Sequence, residues 1–399
     1  MMTTEYPIRE IFRLYLPEYR RQHPETPPVA LKTAEAISRC KTGELGYNVS
    51  YCPECGTTEI HAVSCNNRNC PCCQSALERK WELERNTELI KGIAYYHVVF
   101  TVPEELNDLI RSNPSMLGLL FSCARDTLIN LCKDKKFMGA KPGIISVLHT
   151  WGQRLNYHPH LHVCISGGGI TPEGQFVETP HKGFFIPLPV LAASFKGRYM
   201  CALKRMYDSG ELNLSGAEKL GNPSAWKSFV NDLFGMKWIP FVKETFNGRG
   251  NAVKYLARYS FRTAIANSRI VSFDDGSVTF RYKDYADGSK EKEMTVTAVE
   301  FIRRFLQHVP TAGFHRMRLS GYLSNCCKDD YLKLINRLRN VLYIGNPYRH
   351  MKIDELMLTL YNRDICTCPN CKGRMDRLPR GMPFSLLPLP AQKACLAMC

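Results

Sequence analysis

Two histidines in the middle of this 399-residue chain have the spacing of ligands to a divalent metal ion. His160 and His162 lie in the segment 160–166 (HLHVCIS), whose alternating side chains predict a β-strand. Residues two apart on a strand share a face, so both imidazoles project to one side while Leu161 and Val163 face a core. The pattern therefore predicts two nitrogen ligands directed at a single ion.

A third histidine comes from the preceding segment. Residues 143–151 (GIISVLHTW) are apolar and β-branched, and a short polar link joins them to 160–166. Pairing of the two as an antiparallel hairpin places His149 opposite the His160–His162 stretch. Three imidazoles leave positions open for water and a phosphate oxygen, which is typical of a catalytic metal site. His158 is the competing third ligand, and a structural role for His149 is the other alternative.

A pair of tyrosines downstream supplies a candidate nucleophile. Residues 247–268 (NGRGNAVKYLARYSFRTAIANS) predict a helix that Asn251 caps. Tyr255 and Tyr259 are four residues apart and share one face of it. A phenolate can attack a phosphodiester, although its ordinary pKa of about 10 means that cations or a base must help it ionise. A basic row on the same helix suits phosphate and consists of Lys254, Arg258 and Arg262.

The cysteines are clustered in a way that indicates zinc. Residues 52–73 contain six of the eighteen cysteines, framed by Cys-Pro-x-Cys units at Cys52/Cys55 and Cys70/Cys73. A Cys-x2-Cys turn directs two thiolates to one point, so two such turns supply the four-sulfur shell that zinc prefers. We predict these four as ligands, with Cys65 as the first substitute. One zinc ion and two are both open, because further candidates lie nearby: Cys40, Cys72 and His61.

A second group of cysteines lies further along, at Cys366, Cys368 and Cys371. Cys368 and Cys371 repeat the Cys-Pro-x-Cys form without an obvious fourth ligand nearby. Cys395 and Cys399 are one source of further thiolates, and the first cluster brought close in space is the other. A zinc site and buried thiols without a metal both remain open for this group.

Charge and composition narrow the class of partner. Lys and Arg number 53 against 37 Asp and Glu, a formal net charge of +16, and 44% of the residues are hydrophobic. A globular chain with this excess favours a polyanion, nucleic acid before an anionic membrane surface. The sequence shows neither an apolar run of about 20 residues nor an apolar signal-peptide core at its start. We therefore expect an intracellular protein whose cysteines serve metal rather than disulfides.

The elements that must position these residues predict an α+β fold. Residues 95–102 (YYHVVFTV) and 236–245 predict strands, and 115–132 predict a helix. The glycine run 167–169 is expected to break the histidine strand. Residues 170–235 are expected to form an inserted, partly helical segment.

Together these motifs resemble a known family. His160-Leu161-His162 is similar to the histidine–hydrophobic–histidine (HUH) motif of single-strand DNA nucleases, and Tyr255-x3-Tyr259 to their two-tyrosine motif. The cysteine-rich front and the stretches HTWG, KYLARYSFRTAI and RMRLSGYLSN resemble the two-tyrosine rolling-circle insertion-sequence transposases with an N-terminal zinc-binding domain. The likeness spans residues from about 25 to 375, in the family's order.

The resemblance implies a ferredoxin- or RRM-like antiparallel sheet with the histidines on a central strand. It also implies three regions. These are an N-terminal helical and zinc-binding domain at 1–90, an HUH nuclease domain at 91–310 with an insert at about 170–235, and a basic C-terminal region at 311–399 with a second candidate zinc knuckle. Asn48 stands where many members have a histidine, so the full set of zinc ligands stays open.

The implied chemistry is cleavage and rejoining of single-stranded DNA at insertion-sequence ends. A tyrosine would form a 5′-phosphotyrosine and release a 3′-hydroxyl, and the second tyrosine would cut another strand. Mg²⁺ or Mn²⁺ would bind His149, His160 and His162, since related relaxases have a histidine eleven residues ahead of the motif. The zinc segment would help bind ends that contain hairpins, and a host helicase or the replication machinery would separate strands. The expected location is the bacterial cytoplasm, at the nucleoid.

Two other functions remain open at this level. A plasmid replication initiator or conjugative relaxase would use the same chemistry. A non-catalytic, zinc-dependent DNA-binding protein would retain the cysteines and the basic charge without cleavage. The sequence does not specify which tyrosine attacks first, the DNA ends that are recognised, or the oligomeric state.

Overall fold

A computed structural model describes residues 5–179, 183–244 and 264–387, together with the single positions 253, 256, 257, 389 and 392. The helices within these residues are α1 (Pro7–Gln22), α2 (Pro28–Ser38), α3 (Ser75–Glu88), α4 (Asn107–Ser112), α5 (Ser115–Lys133), α6 (Leu188–Asp208), α7 (Pro223–Gly235), α8 (Ala298–Leu306), α9 (Lys328–Leu338) and α10 (Ile353–Tyr361). The strands are β1 (Tyr47–Tyr51), β2 (Thr58–Ala62), β3 (Tyr95–Thr101), β4 (Lys141–Trp151), β5 (Tyr157–Ile170), β6 (Phe176–Glu178), β7 (Phe241–Glu244), β8 (Ile270–Asp274), β9 (Ser277–Asp284), β10 (Lys290–Thr297), β11 (Met317–Gly321) and β12 (Asp376–Arg377). Among the described residues, no helix combines the length and apolarity needed to cross a membrane.

The described strands form three antiparallel sheets, which confirms the α+β class. The central sheet has the order β11-β4-β5-β3-β7, with β6 paired to β5, so the histidine strand β5 lies in its middle. A second sheet has the order β10-β9-β8, and a third, small sheet has the order β12-β1-β2.

The predicted histidine hairpin is confirmed by the pairing of β4 with β5. His149 lies directly opposite His160, and Val147 lies opposite His162. Side chains alternate across the sheet, so Leu148 and Leu161 enter the core on one face while the histidines project from the other. The register of one hairpin therefore fixes which side chains share the histidine face.

The glycine run at 167–169 does not end the histidine strand, contrary to expectation, because β5 continues to Ile170. These glycines permit close packing instead of a turn. A Cβ on Gly169 would lie 2.5 Å from the carbonyl oxygen of Lys141, and one on Gly168 would lie 2.8 Å from the ring of Phe176. These positions are glycine because the adjacent strands β4 and β6 approach too closely for a side chain.

The two faces of the central sheet are covered by different parts of the chain. Helices α5, α6 and α7 pack over the face of Leu148 and Leu161 and form the largest apolar core. The histidine face contacts a second core that includes Ile145, Val147 and residues of α9. A third core joins α1 and α2 to α8 and the β8–β10 sheet.

The chain beyond residue 310 returns to both earlier regions. β11 is the edge strand of the central sheet, beside β4. β12 pairs with β1, with Ser50 opposite Arg377 and Tyr51 opposite Asp376. The expected C-terminal region therefore contributes strands to the sheets of the two regions that precede it.

Candidate active site and metal centres

Three imidazoles converge on the histidine face of the central sheet. One ring nitrogen each from His149, His160 and His162 lies within 4.8 Å of the others. His149 and His162 are buried, with 3% and 7% of their surface exposed, and His160 is partly exposed. This separation suits three ligands around one ion with one side left open. His158, the competing third ligand, lies outside this group.

Hydrogen bonds orient two of these rings. Nδ1 of His160 lies 2.7 Å from the carbonyl oxygen of His158 and can only donate to it. Nδ1 of His162 lies 2.9 Å from Nε2 of His97, a buried residue on β3. Both bonds leave Nε2 as the nitrogen that can bind a metal. Sequence reasoning missed His97, although its alternation within 95–102 places it on the histidine face.

Burial determines the charge state of the histidines. Desolvation lowers the pKa of His160 to about 4, and it holds the pKa of His162 well below its ordinary value with the help of neighbouring imidazoles. The rings of His160 and His162 are therefore neutral at pH 7, which is the form that binds a metal cation.

An aromatic wall stands beside the three imidazoles. The Trp151 ring stacks on His149 with 4.3 Å between centroids and an angle of 18°. His308, from the end of α8, packs against Trp151 and lies parallel to the ring of Tyr157. Nδ1 of His308 also lies 3.2 Å from the Thr150 hydroxyl. No sequence motif marks His308, which contacts the Trp151 ring that stacks on His149.

The histidines line a basic cleft of about 1840 Å³ between the central sheet and the β8–β10 sheet. Its wall includes seven basic side chains against two carboxylates, Asp284 and Glu291. The basic ones are Arg111, Arg154, Arg269, Arg281, Lys283, Arg303 and Arg304. Trp151, Tyr157, Tyr282 and Tyr285 supply aromatic surface in the same wall. A positive groove with aromatic platforms suits a single strand of nucleic acid.

The predicted tyrosine nucleophiles lie outside the described residues, as do Lys254, Arg258 and Arg262. Their described neighbours are informative. Val253, Leu256 and Ala257 are helical and buried, and the first two belong to the core on the histidine face. Residues 264–266 line the basic cleft. Described positions before and after the predicted nucleophiles therefore contact the histidine face or line the cleft beside it.

Four cysteines form what we call the inner cluster: Cys40, Cys65, Cys70 and Cys73. Cys40 follows α2, and the other three lie in the loop before α3. Their sulfurs lie within 4.8 Å of one another, with 3.8 Å between those of Cys65 and Cys73. Tetrahedral zinc with bonds of about 2.3 Å requires sulfurs about 3.8 Å apart, so this set fits zinc.

A separate outer cluster contains Cys52, Cys55, Cys368 and Cys371. The Cys52 and Cys371 sulfurs lie 3.4 Å apart, and those of Cys55 and Cys368 lie 3.6 Å apart. The C-terminal knuckle thus meets the first N-terminal one, so the thiolates that complete it come from the first cluster. Cys395 and Cys399 lie outside the described residues.

The expected zinc set of Cys52, Cys55, Cys70 and Cys73 is corrected by this arrangement. The structure places the two knuckles in different clusters, because the β1–β2 hairpin separates them and β12 brings Cys368 and Cys371 to the first. Cys65 joins Cys70 and Cys73 as a ligand candidate. Three other candidates belong to neither cluster: His61, Cys72 and Cys366.

Comparison with family models gives two matches. Residues 143–330 match the family described as "Putative transposase", and residues 11–102 match the family described as "Transposase zinc-binding domain". The first range contains the three histidines and the tyrosine pair. The second contains the inner cluster and half of the outer one.

Two curated proteins are similar along almost their whole length. The chain is 39% identical over 381 residues to "Putative transposase y4qJ" of Sinorhizobium fredii, covering 92% of this chain and 94% of that protein. It is 28% identical over 357 residues to "Transposase for insertion sequence element IS801" of Pseudomonas savastanoi pv. phaseolicola, covering 87% and 83%. No solved structure matches the chain.

Proposed function

We infer the activity from one premise: the chain belongs to the IS91/IS801 family of rolling-circle transposases and carries the family's zinc-binding domain. We propose that it cleaves and rejoins single-stranded DNA at insertion-sequence ends through a phosphotyrosine. The observation that carries the proposal is the convergence of His149, His160 and His162 at a basic cleft that residues 264–266 also line.

The three imidazoles would hold Mg²⁺ or Mn²⁺. Their fit to a divalent ion rests on the spacing of the nitrogens and on burial that keeps His160 and His162 neutral. When bound there, the ion supplies a Lewis acid for the scissile phosphate. His97 acts as a positioning residue, because its bond to Nδ1 of His162 directs Nε2 toward the other rings.

Tyr255 and Tyr259 are the proposed nucleophiles. A phenolic oxygen attacks phosphorus and the P–O3′ bond breaks, which leaves a 5′-phosphotyrosine and a 3′-oxygen that takes up a proton. The bond energy is retained, so a 3′-hydroxyl can reverse the step without ATP. Placement of this pair near the histidines is supported by Val253 and Leu256, which pack in the core on the same face.

The basic cleft would hold the DNA strand. Arginines there neutralise phosphates, and the exposed Tyr285 and the ring of Trp151 offer surfaces on which bases can stack. A single strand is favoured because its unpaired bases are free to stack on these aromatic side chains, whereas the bases of a duplex are stacked on each other. We propose in addition that the central sheet has a ferredoxin-like arrangement. We also propose that the DNA ends contain hairpins and that a host helicase separates the strands.

The inner cluster would hold a structural zinc. It lies within the core that joins α1 and α2 to α8, and Cys40 and Cys70 are fully buried there. A closed four-sulfur shell leaves no position for substrate, so this ion would support the fold rather than the reaction.

The test is cleavage of single-stranded oligonucleotides that carry the DNA flanking the gene, with Mg²⁺ or Mn²⁺. A covalent protein–DNA adduct on a denaturing gel is expected, reduced in Tyr255→Phe or Tyr259→Phe and absent in the double variant. Tyr361→Phe, at an exposed position on α10, is the matched control and should form the adduct normally.

Two results would overturn the proposal. One is an adduct that persists in the double variant. The other is tight binding of these oligonucleotides with no adduct for any end, which would favour the non-catalytic DNA-binding protein. A replication initiator would share the adduct, and the name of the IS801 relative favours the transposase.

A further inference from the structure

We propose that the outer cluster is a second zinc centre, which fastens the C-terminal segment 366–387 to the N-terminal hairpin. Half of its ligands, Cys368 and Cys371, lie beyond residues 11–102, the range of the zinc-binding family match. The proposal is independent of the nuclease chemistry.

The two knuckles that meet in this cluster have the same backbone geometry. In the first, Gly56 N–H donates to the carbonyl of Cys52, and Cys52 N–H donates to the carbonyl of Thr57. The second repeats both bonds one for one, from Lys372 to Cys368 and from Cys368 to Gly373. Two matching knuckles facing each other are the arrangement that delivers four thiolates to one tetrahedral ion.

The backbone conformation of Lys372 supports a metal-binding role for the second knuckle, beyond packing. Gly56 and Lys372 occupy the same position of the two knuckles, and both have a left-handed backbone, with φ of 73° and 64°. Glycine adopts this conformation at little cost, whereas lysine pays for it in backbone strain. The second knuckle is thus held in a costly shape, which a bound metal would compensate.

The apolar core around the cluster is too small to hold the segment by itself. Among the described residues, Met375 alone joins Cys52 and Cys368 in one buried group. Val49, Ile60 and Leu387 form another small group, against which partly buried side chains pack: Tyr47, Leu378 and Met382. Pairing of β12 with β1 covers two residues of each strand. Units with so little buried apolar surface are usually completed by a metal or disulfides.

The sulfur distances favour a metal over disulfides. The sulfurs of Cys52 and Cys371 lie 3.4 Å apart and those of Cys55 and Cys368 lie 3.6 Å apart, both far longer than a disulfide bond of about 2.0 Å. They are close to the roughly 3.8 Å between sulfurs of a tetrahedral zinc site. All four sulfurs lie within 4.8 Å, so the four thiolates can share one ion.

The experiment is a count of metal per chain by elemental mass spectrometry on the purified full-length protein. Wild type is expected to hold two zinc ions. Cys368→Ser/Cys371→Ser and Cys52→Ser/Cys55→Ser should each hold one, because each removes half of the same shell. Cys201→Ser/Cys326→Ser removes two exposed thiols outside both clusters and should keep two.

A second measurement covers variants that fail to fold. Cobalt-loaded wild type should show the absorption of two tetrahedral four-sulfur sites, and Cys371→Ser, at an exposed ligand, should lose that of one. One zinc in wild type, or two in the Cys368→Ser/Cys371→Ser variant, would overturn the proposal. The DNA adduct of the previous test does not enter this count, so the two proposals can fail separately.

Discussion

All three histidines of the candidate active site come from one β-hairpin, whereas the outer cluster joins cysteines 313 and 319 residues apart in the chain. The imidazoles are held by strand register and the packing of the central sheet. The outer thiols depend on short turns with little core beneath them. Loss of a histidine should therefore reduce cleavage and leave the fold intact. Loss of a cysteine should release zinc and lower the stability of the fold.

The largest effect that would test this contrast is loss of cleavage in His162→Ala. We expect adduct formation to fall at least about 100-fold, since one of three nitrogen ligands is removed. Quantified adduct in a time course measures this. The melting temperature should change little, since the sheet is held by its apolar faces, and unfolding of the variant would break the contrast.

Replacement of a buried thiol should show the opposite pattern. Cys70→Ser in the inner cluster is expected to lose one zinc ion and to lower the melting temperature by roughly 10 °C or more. Calorimetry together with metal analysis measures both. Cys72→Ser is the matched control, because Cys72 is also buried but lies outside the cluster. Equal effects of the two substitutions would contradict the assignment.

A buried ion-pair network joins the zinc-binding region to the histidine face without a metal. Glu88, at the end of α3, accepts from Lys328 at 2.6 Å and from Arg85 at 3.0 Å, and all three are buried. Glu88→Ala removes the carboxylate that pairs with the buried Lys328 and leaves Arg85 with Glu84 alone, which should cost about 3–5 kcal/mol in the free energy of unfolding. Denaturant unfolding measures it. The more exposed Glu84→Ala should cost less than about 1 kcal/mol.

The pH dependence of stability should report His308. Burial, with smaller effects of Arg111 and Arg303, lowers the pKa of His308 to about 3. The unfolded chain takes up this proton near pH 6.5, so stability falls as pH drops, by about 2 kcal/mol for this group between pH 7 and pH 5. His308→Gln should flatten the curve by that amount. An unchanged slope would show that His308 is not held neutral.

The smallest effect concerns His97. His97→Ala is expected to weaken Mn²⁺ binding about 10-fold, because Nδ1 of His162 loses the partner that orients its ring. Calorimetric titration of Mn²⁺ measures this. His97→Gln restores a polar partner and should recover part of the affinity. A change in melting temperature with unaltered Mn²⁺ affinity would show that His97 has only a packing role.

Local spacing carried most of what could be predicted about the active site. Alternation in 143–151 and 160–166 determined the hairpin and its faces, so the grouping of His149 with His160 and His162 followed from neighbours in sequence. The partners of Cys52 and Cys55 could not be found in this way. They depend on the pairing of β12 with β1. A strand of two residues is too short to show an alternating pattern in the sequence.

The same distinction between local spacing and tertiary contact explains the other differences between prediction and structure. The glycines at 167–169 have the composition of a strand end, but the close approach of Lys141 and Phe176 that requires them is a tertiary contact. His308 and His97 reach the site from other strands and helices. Single histidines without a partner in the local sequence carry no signal of such a role.

The pairing of β1 with β12 cannot form until nearly all of this sequence has been synthesised. Tyr51 lies opposite Asp376, 325 residues later in the chain (376 minus 51). At roughly 5–20 residues per second, the ribosome needs about 16–65 s to deliver the second strand after the first. Through that interval the β1–β2 hairpin exposes an unpaired edge and two thiols, so the nascent chain is most vulnerable to oxidation and misassembly before β12 emerges.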